Sequence, residues 1–219
     1  VATAMVDEED WANAWKQYFK PVRISEKLTI KPTWEAYRPA PGEKVIELDP
    51  GMAFGTGTHA TTSLCLRLLE KVVEQGDDVV DVGTGSGILA IGAVQLGARH
   101  VLALDLDPVA VSSASENVRL NGLEQQVNVK QSDLLQVMNR SRDKYDVLVA
   151  NILAPILISF MNEAAKVVKP GAWYVASGVI AAKEKDVTEA MEQAGFQVIH
   201  RLLEDDWVAL AARRKGDHL

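Results

Sequence analysis

The stretch Val79-Val80-Asp81-Val82-Gly83-Thr84-Gly85-Ser86-Gly87 constrains this chain more than any other. A short apolar run of strand character ends in three glycines at alternate positions, and a helix-like segment follows from Ile88 to Leu96. A second apolar run, from Val101 to Leu104, then closes on a carboxylate, Asp105. Glycines at a strand-to-helix turn let backbone approach a ligand closely, because no Cβ intervenes. An acid at the tip of the next strand can accept hydrogen bonds from both hydroxyls of a ribose. The two features together describe a nucleoside-binding crevice at the carboxyl edge of a parallel sheet.

The remaining chain continues that pattern. Strands are expected at 79–83, 100–105, 127–130, 145–150 and 172–176, with helices at 59–75, 86–96, 108–120, 154–168 and 181–194 and a short helical piece at 133–139. Asp107 and Pro108 suit the N-cap and first position of the helix at 108–120. Strands alternating with helices imply a parallel sheet covered on both faces. The final strands, 196–201 and 207–212, are joined only by Leu202 to Asp206, too short for a crossover, so they are expected to pair antiparallel. A mostly parallel seven-stranded sheet with an antiparallel last strand is the Rossmann-like α/β architecture of the common methyltransferase fold. Ahead of it, residues 7–19 read as an amphipathic helix capped by Asp7, with Trp11, Trp15, Tyr18 and Phe19 on one stripe. Short strands are expected at 22–24, 28–30 and 44–48, which divides the chain into an N-terminal extension, 1–42, and a catalytic domain, 43–219.

The glycine spacing selects among nucleoside ligands. A dinucleotide fingerprint, G-x-G-x-x-G, counted from Gly83 requires glycine where Ile88 stands. The observed G-x-G-x-G suits S-adenosyl-L-methionine, which has no pyrophosphate to seat on a helix N-terminus and carries an amino-acid tail instead. A loop serving only to turn the chain is the plainer alternative, and Asp105 at the ribose position argues against it.

Composition narrows the class. With 219 residues, 47% of them hydrophobic, the chain can bury a full core in one domain. A net charge of −7 argues against a broad nucleic-acid footprint but suits a basic substrate. The single cysteine, Cys65, rules out an internal disulfide, reads as a buried inert thiol and fits the cytoplasm. No signal peptide or run of eighteen apolar residues appears, so no membrane partner is expected. The chain opens at Val1 rather than methionine, as expected of part of a longer protein.

Three further segments carry candidate chemistry. Asn151 ends the strand at 145–150, beside the glycine loop in the usual strand order. Its side-chain amide there can accept a hydrogen bond from an incoming amine and aim the nitrogen lone pair at a methyl group; a turn or helix-cap role is the plainer reading, and the two can coexist. Methyl transfer is an in-line displacement governed by alignment, with no metal or covalent nucleophile required. Ser132-Asp133 follows the strand at 127–130, where Asp133 can meet an adenine amino group or simply start a helix. The segment Gly51-Met52-Ala53-Phe54-Gly55-Thr56-Gly57-Thr58-His59 offers backbone donors, hydroxyls and one aromatic face. It is not a P-loop, having no lysine after its glycines. Thr58 suits a helix N-cap there, while His59 is open to a base, cap or surface role.

With that segment, Asp81-Val82-Gly83-Thr84-Gly85-Ser86-Gly87 and Asn151-Ile152-Leu153-Ala154, the chain resembles the ribosomal protein L11 methyltransferase family over essentially its whole length. The resemblance includes the helix at 7–19 and Glu204-Asp205-Asp206-Trp207-Val208-Ala209. It implies transfer of methyl groups from S-adenosyl-L-methionine to lysine side chains and an N-terminal amine of the ribosomal protein, leaving S-adenosyl-L-homocysteine. It implies cofactor contacts at Thr62, Gly83, Asp105 and Asn151, to which Thr56, Gly85 and Asp133 are added here. Asn151 and Phe54 are the expected catalytic residues, with the loop at 51–58 closing over the methyl group. The resemblance also implies an N-terminal domain that grips the ribosomal protein and is expected to precede Val1. One departure is Ala60, where the family usually has proline. A methyltransferase for RNA or a small amine, a non-catalytic nucleoside module and, more distantly, an NAD-dependent oxidoreductase are the competing readings.

Overall fold

The computed structural model describes Lys16 and residues 19–49, 59–138 and 144–216. The helix expected at 7–19 therefore lies outside the described residues, apart from Lys16 and Phe19. Three short strands come first: β1 (Val22–Arg23), β2 (Leu28–Pro32) and β3 (Lys44–Leu48). The regular alternation follows as α1 (Ala60–Val72), β4 (Asp78–Val82), α2 (Ile88–Leu96), β5 (His100–Asp105) and α3 (Pro108–Leu120). It continues through β6 (Val127–Gln131), β7 (Tyr145–Asn151), α4 (Ala154–Val167), β8 (Val168–Ile180) and α5 (Glu184–Gln193). The chain closes with β9 (Phe196–Glu204) and β10 (Trp207–Arg214).

Seven strands pair in the order β6-β5-β4-β7-β8-β10-β9, while β1-β2-β3 form a separate small sheet. Within the large sheet β10 runs antiparallel to both neighbours, and the pairings among β4 to β8 are parallel. The expected short connection is shorter still. Only Asp205 and Asp206 join the last two strands, with Asp205 at φ 53°, the positive φ that two-residue hairpins demand.

Alternation along the strands divides the core in two. Val79, Val101, Val147 and Val149 face α1, α2 and the small sheet, while Val80, Val82, Leu104 and Leu148 face α4 and α5. Helix α2 is apolar all round because it is covered on both sides. The sheet lies beneath it and β3 and α1 pack above, so a Cβ at Gly92 would sit 2.5 Å from Leu66 Cδ2 and 3.4 Å from Ile46 Cδ1. Helices buried on every side lose their amphipathic stripe.

Two expectations change. Residues 133–138 form turns rather than a short helix: Leu134 has φ 49°, and the Ser132 hydroxyl donates to Leu134 O at 2.9 Å, a local bond that competes with helix formation. Strand β8 runs for 13 residues, far beyond 172–176. Its start pairs with Tyr145 and its end with Trp207, and partners unseen in local sequence extend a strand. Opposite β10 it carries a bulge. Val208 pairs with Val179 and Leu210 with Ala176, so Ser177 and Gly178 face Ala209 alone.

The small sheet is fastened by one buried carboxylate. Glu43 accepts hydrogen bonds from the Thr29 hydroxyl, from Tyr37 Oη at 2.6 Å and from Ala40 N at 2.7 Å. These donors, the Thr29 hydroxyl foremost, pull its pKa down to about 2. The folded state thus favours the ionised form, stabilising the protein above the ordinary value of 4.5 and losing that contribution as pH falls toward about 2. Glu43→Gln is accordingly expected to lower the melting temperature at pH 7 and to match the parent below pH 2, as thermal melts across pH will show. At the bulge, Gly178 has φ +82° and a Cβ there would lie 2.4 Å from the carbonyl oxygen of Ile152. Gly178→Ala is expected to cost about 2–4 kcal/mol by denaturant unfolding; a change below about 0.5 kcal/mol would contradict this packing.

Candidate functional site

The parallel register places the three expected anchors in one row. Val82 of β4 pairs with Leu104 of β5 and with Ala150 of β7, so Gly83, Asp105 and Asn151 each stand one residue past the same rung. Ser177 extends the row on one side and Gln131 on the other. Adjacent strands lie about 4.8 Å apart, so Asp105 and Asn151 flank Gly83 across roughly 10 Å of sheet edge.

The glycine loop and Asp105 hold each other. The backbone N–H groups of Gly83 and Thr84 both donate to Leu104 O at 2.8 Å. Gly85 N donates to Asp105 Oδ2 at 2.9 Å, and Asp107 N to Asp105 Oδ1 at 3.0 Å. Each carboxylate oxygen accepts about two hydrogen bonds, which leaves one site on each oxygen for a vicinal diol. Gly83, Gly85 and Gly87 all have positive φ. A Cβ on Gly83 would fall 2.5 Å from Ile152 Cγ2, and one on Gly87 3.2 Å from Ala114 Cα. At these two positions the glycines serve protein packing, beyond the ligand approach expected of them.

Beneath the loop, Asp81 is fully buried. Thr84 Oγ1 donates to its Oδ2 at 2.6 Å, and its other oxygen has no partner. Burial pushes its pKa up to about 7, the Thr84 hydrogen bond opposes the shift, and the charge of Asp105 adds to it. Burial, reinforced by Asp81, also pushes the Cys65 thiol up, so it stays protonated and inert as expected.

On the other side of the row, Asn151 turns toward helix α1. Its Nδ2 donates to Thr61 Oγ1 at 3.2 Å, and Thr61 Oγ1 lies 2.8 Å from His59 Nδ1. His59 is the N-cap of α1, accepting from Thr61 N at 3.3 Å, and its ring meets the Trp207 ring edge-on at 5.0 Å. The capping alternative for Asn151 falls away, since Leu153 occupies the N-cap of α4. Thr62, one residue further along α1, is fully buried with a hydroxyl that has no partner. An orphaned buried hydroxyl on the helix that meets Asn151, with a diol acceptor at Asp105 on the far side of the glycine turn, fits a nucleoside with a polar tail.

Asp133 lies past the end of β6, exposed, accepting from Gln136 Nε2 at 2.9 Å. Phe54 and Thr56, with residues 50–58, lie outside the described residues. Several site-shaping residues carried no local sequence signal that singled them out. Asn117 of α3 donates to Ser86 O at 2.8 Å and accepts from Asp49 N at 3.0 Å, tying the glycine loop to the chain that enters residues 50–58. Asn121, one turn on, donates to Glu47 O at 2.7 Å and accepts from Glu47 N at 3.0 Å. Two asparagines four residues apart on a packed helix were the available hint. Leu106 and Val109 beyond Asp105, and Leu153 and Ile156 beyond Asn151, add exposed apolar side chains near the same edge.

Among the described residues, no group of three or more His, Cys, Asp or Glu is placed to hold a metal ion, and no helix is long and apolar enough to cross a membrane. A groove of about 820 Å³ lies elsewhere. It runs along β6 and the amino ends of neighbouring strands, lined by Asp78, His100, Asn128 and Tyr145.

Comparison with known proteins gives this geometry a family. The family model described as "Ribosomal protein L11 methyltransferase (PrmA)" matches residues 1–215. A ribosomal protein L11 methyltransferase of Bacillus cytotoxicus is 57% identical over 209 residues, covering 95% of this chain and 66% of that protein. The chain thus spans about two thirds of that relative's length. A solved ribosomal protein L11 methylase from Lactobacillus delbrueckii subsp. bulgaricus superposes with TM-score 0.84 at 35% identity, covering 90% of this chain and all of the other. The T. thermophilus 16S rRNA N2 G1207 methyltransferase, solved with AdoMet and guanosine, shares the fold alone, at TM-score 0.62 and 21% identity over 74% of this chain and 45% of that one. From the family match and the identity to its members, the chain belongs to the ribosomal protein L11 methyltransferase (PrmA) family.

Proposed function

We propose that this protein transfers methyl groups from S-adenosyl-L-methionine to amines of ribosomal protein L11, namely lysine side chains and the N-terminal amine. The observation that carries the reading is the row Asp105–Gly83–Asn151, an anchored diol acceptor and a side-chain amide on either side of a glycine turn. Family membership supports the acceptor. The cytoplasm is the compartment this reading requires.

The cofactor supplies a methyl group already activated on a sulfonium. Asp105 binds the ribose hydroxyls through the lone pairs that Gly85 and Asp107 leave free, and the loop backbone lines the amino-acid tail. Thr62 offers its buried hydroxyl to the methionine end, and Asp133 accepts from the adenine amino group. Phe54 and Thr56 belong to the segment that closes over the methyl group and excludes water. Asn151 accepts a hydrogen bond from the incoming amine through its carbonyl oxygen and so aims the nitrogen lone pair. Alignment of this kind accounts for much of the rate of a displacement at carbon.

The amine must arrive without its extra proton, since an ammonium has no lone pair and lysine's ordinary pKa is about 10.4. Withdrawal into a dry site favours the neutral form. Asp81 is sealed beneath the glycine loop, so the proton leaves to solvent before the site closes. The new N–C bond then forms as the S–C bond breaks, and S-adenosyl-L-homocysteine departs with the electron pair. Asp205 and Asp206, exposed at the turn before Trp207, place negative charge near His59 and suit a basic acceptor.

Asp105→Ala is expected to weaken S-adenosyl-L-methionine binding about ten- to a hundredfold by calorimetry; unchanged affinity would remove the ribose assignment. Asn151→Ala is expected to lower kcat for methylation of ribosomal protein L11 about ten- to a hundredfold, with donor affinity changed less than about threefold. Radiolabel entering RNA, with none in the ribosomal protein, would overturn the acceptor.

A further inference from the structure

We propose that Thr61, held by His59, is a positioning residue that locks the Asn151 side chain with its nitrogen toward α1 and its carbonyl oxygen free for the acceptor amine. The inference rests on the methyl-transfer reading of the row and assigns a role to two residues of the Thr-His-Ala-Thr segment that the cofactor contacts leave unexplained.

The direction of the hydrogen-bond chain follows from one donor that cannot reverse. The backbone N–H of Thr61 points to His59 Nδ1 at 3.3 Å. An N–H can only donate, so Nδ1 is the unprotonated nitrogen of the ring. The Thr61 hydroxyl, 2.8 Å from that same nitrogen, is then the second and shorter of two donors that share its single lone pair. With its proton committed, Thr61 Oγ1 can only accept from Asn151, which requires the NH₂ end of the amide at the 3.2 Å contact. The opposite amide orientation would set the Asn151 carbonyl against a hydroxyl oxygen that has no proton left to offer. The carbonyl oxygen of Asn151 is thus turned away from α1.

The lock is built from rigid parts. Thr61 is 1% exposed and sits in the first turn of α1, so its hydroxyl has no solvent to bond instead. Trp207, at the start of β10, packs edge-on against the imidazole and limits rotation of the ring. Asn151 follows the buried run Val147 to Ala150 and is braced by Ile152 N donating to Ser177 O at 3.2 Å. Three elements distant in sequence therefore set which atom of one amide meets the acceptor.

The test is a double-mutant cycle with kcat for methylation of ribosomal protein L11 at saturating donor, S-adenosyl-L-homocysteine affinity by calorimetry, and the ¹⁵N side-chain amide signal of Asn151 by NMR. Thr61→Val keeps the shape and removes the hydroxyl. It is expected to lower kcat about five- to tenfold, the worth of one hydrogen bond, to leave S-adenosyl-L-homocysteine affinity within about twofold, and to shift the Asn151 amide signal. Thr61→Ser is expected to recover most of the rate. In an Asn151→Ala background Thr61→Val is expected to add no further loss, since the residue it positions is gone. An additive loss in that background, an unmoved amide signal, or an unchanged kcat in Thr61→Val while Asn151→Ala is slow would overturn the positioning role alone. An unaffected Asn151→Ala would overturn the methyl-transfer reading of Asn151 and this inference with it.

Discussion

The in-register parallel pairing of β5, β4 and β7 is the constraint on which the rest of this structure depends. Three strands rising in the same direction finish together, so the residue that follows each apolar run falls in one row. The apolar rungs are buried on both faces, and a slip of one residue in any strand would turn its buried set to the opposite face. Core packing therefore sets the register, and register sets the spacing of Asp105, Gly83 and Asn151. Helices α2 and α1 also begin near that edge, bringing the glycine turn and the Thr61–Thr62 step into the same space. Site geometry here is a by-product of burying valines.

Around the row, polar groups are placed where the sheet cannot supply partners. Asn121 stands in for a missing strand neighbour by bonding both backbone groups of Glu47, and Asn117 joins Asp49 to the glycine loop. Buried amides with unmet bonds are costly, so these contacts hold the entrance to residues 50–58 against α3. The glycines work in the same spirit. Gly83 admits Ile152, Gly87 admits Ala114, and Gly178 admits the Ile152 carbonyl. The turn after Asn151 is thereby gripped from two sides, and a side chain gripped at its root is one whose orientation a single hydroxyl can decide.

Much of this was legible in the chain itself. The alternation of apolar runs with helical stretches, the hairpin implied by Leu202 to Asp206, and the acid at the end of the second strand each follow from local chemistry. Asp107 and Pro108 announced the start of α3 correctly. Where the reading went astray, the cause was a partner remote in sequence. Strand β8 runs past 176 because Trp207 lies beside Ile180, and residues 133–138 turn because Ser132 bonds locally and Leu134 takes a positive φ. Ser177-Gly178 inside an apolar run was a bulge signal, but which residue the bulge would admit is written nowhere near it.

The amino-acid sequence by itself determined the kind of site: a glycine turn spaced for a nucleoside without a pyrophosphate, an acid for its ribose and an amide at the neighbouring strand end. Hydrophobic periodicity and turn chemistry act over a few residues, so they can be read directly. Only the tertiary structure decided how those groups are aimed. Asn151 faces Thr61 across 90 residues of chain, and His59 meets Trp207 of the last strand. Hydrogen-bond direction depends on which donor sits opposite which acceptor, and that pairing exists only once the strands have found their register.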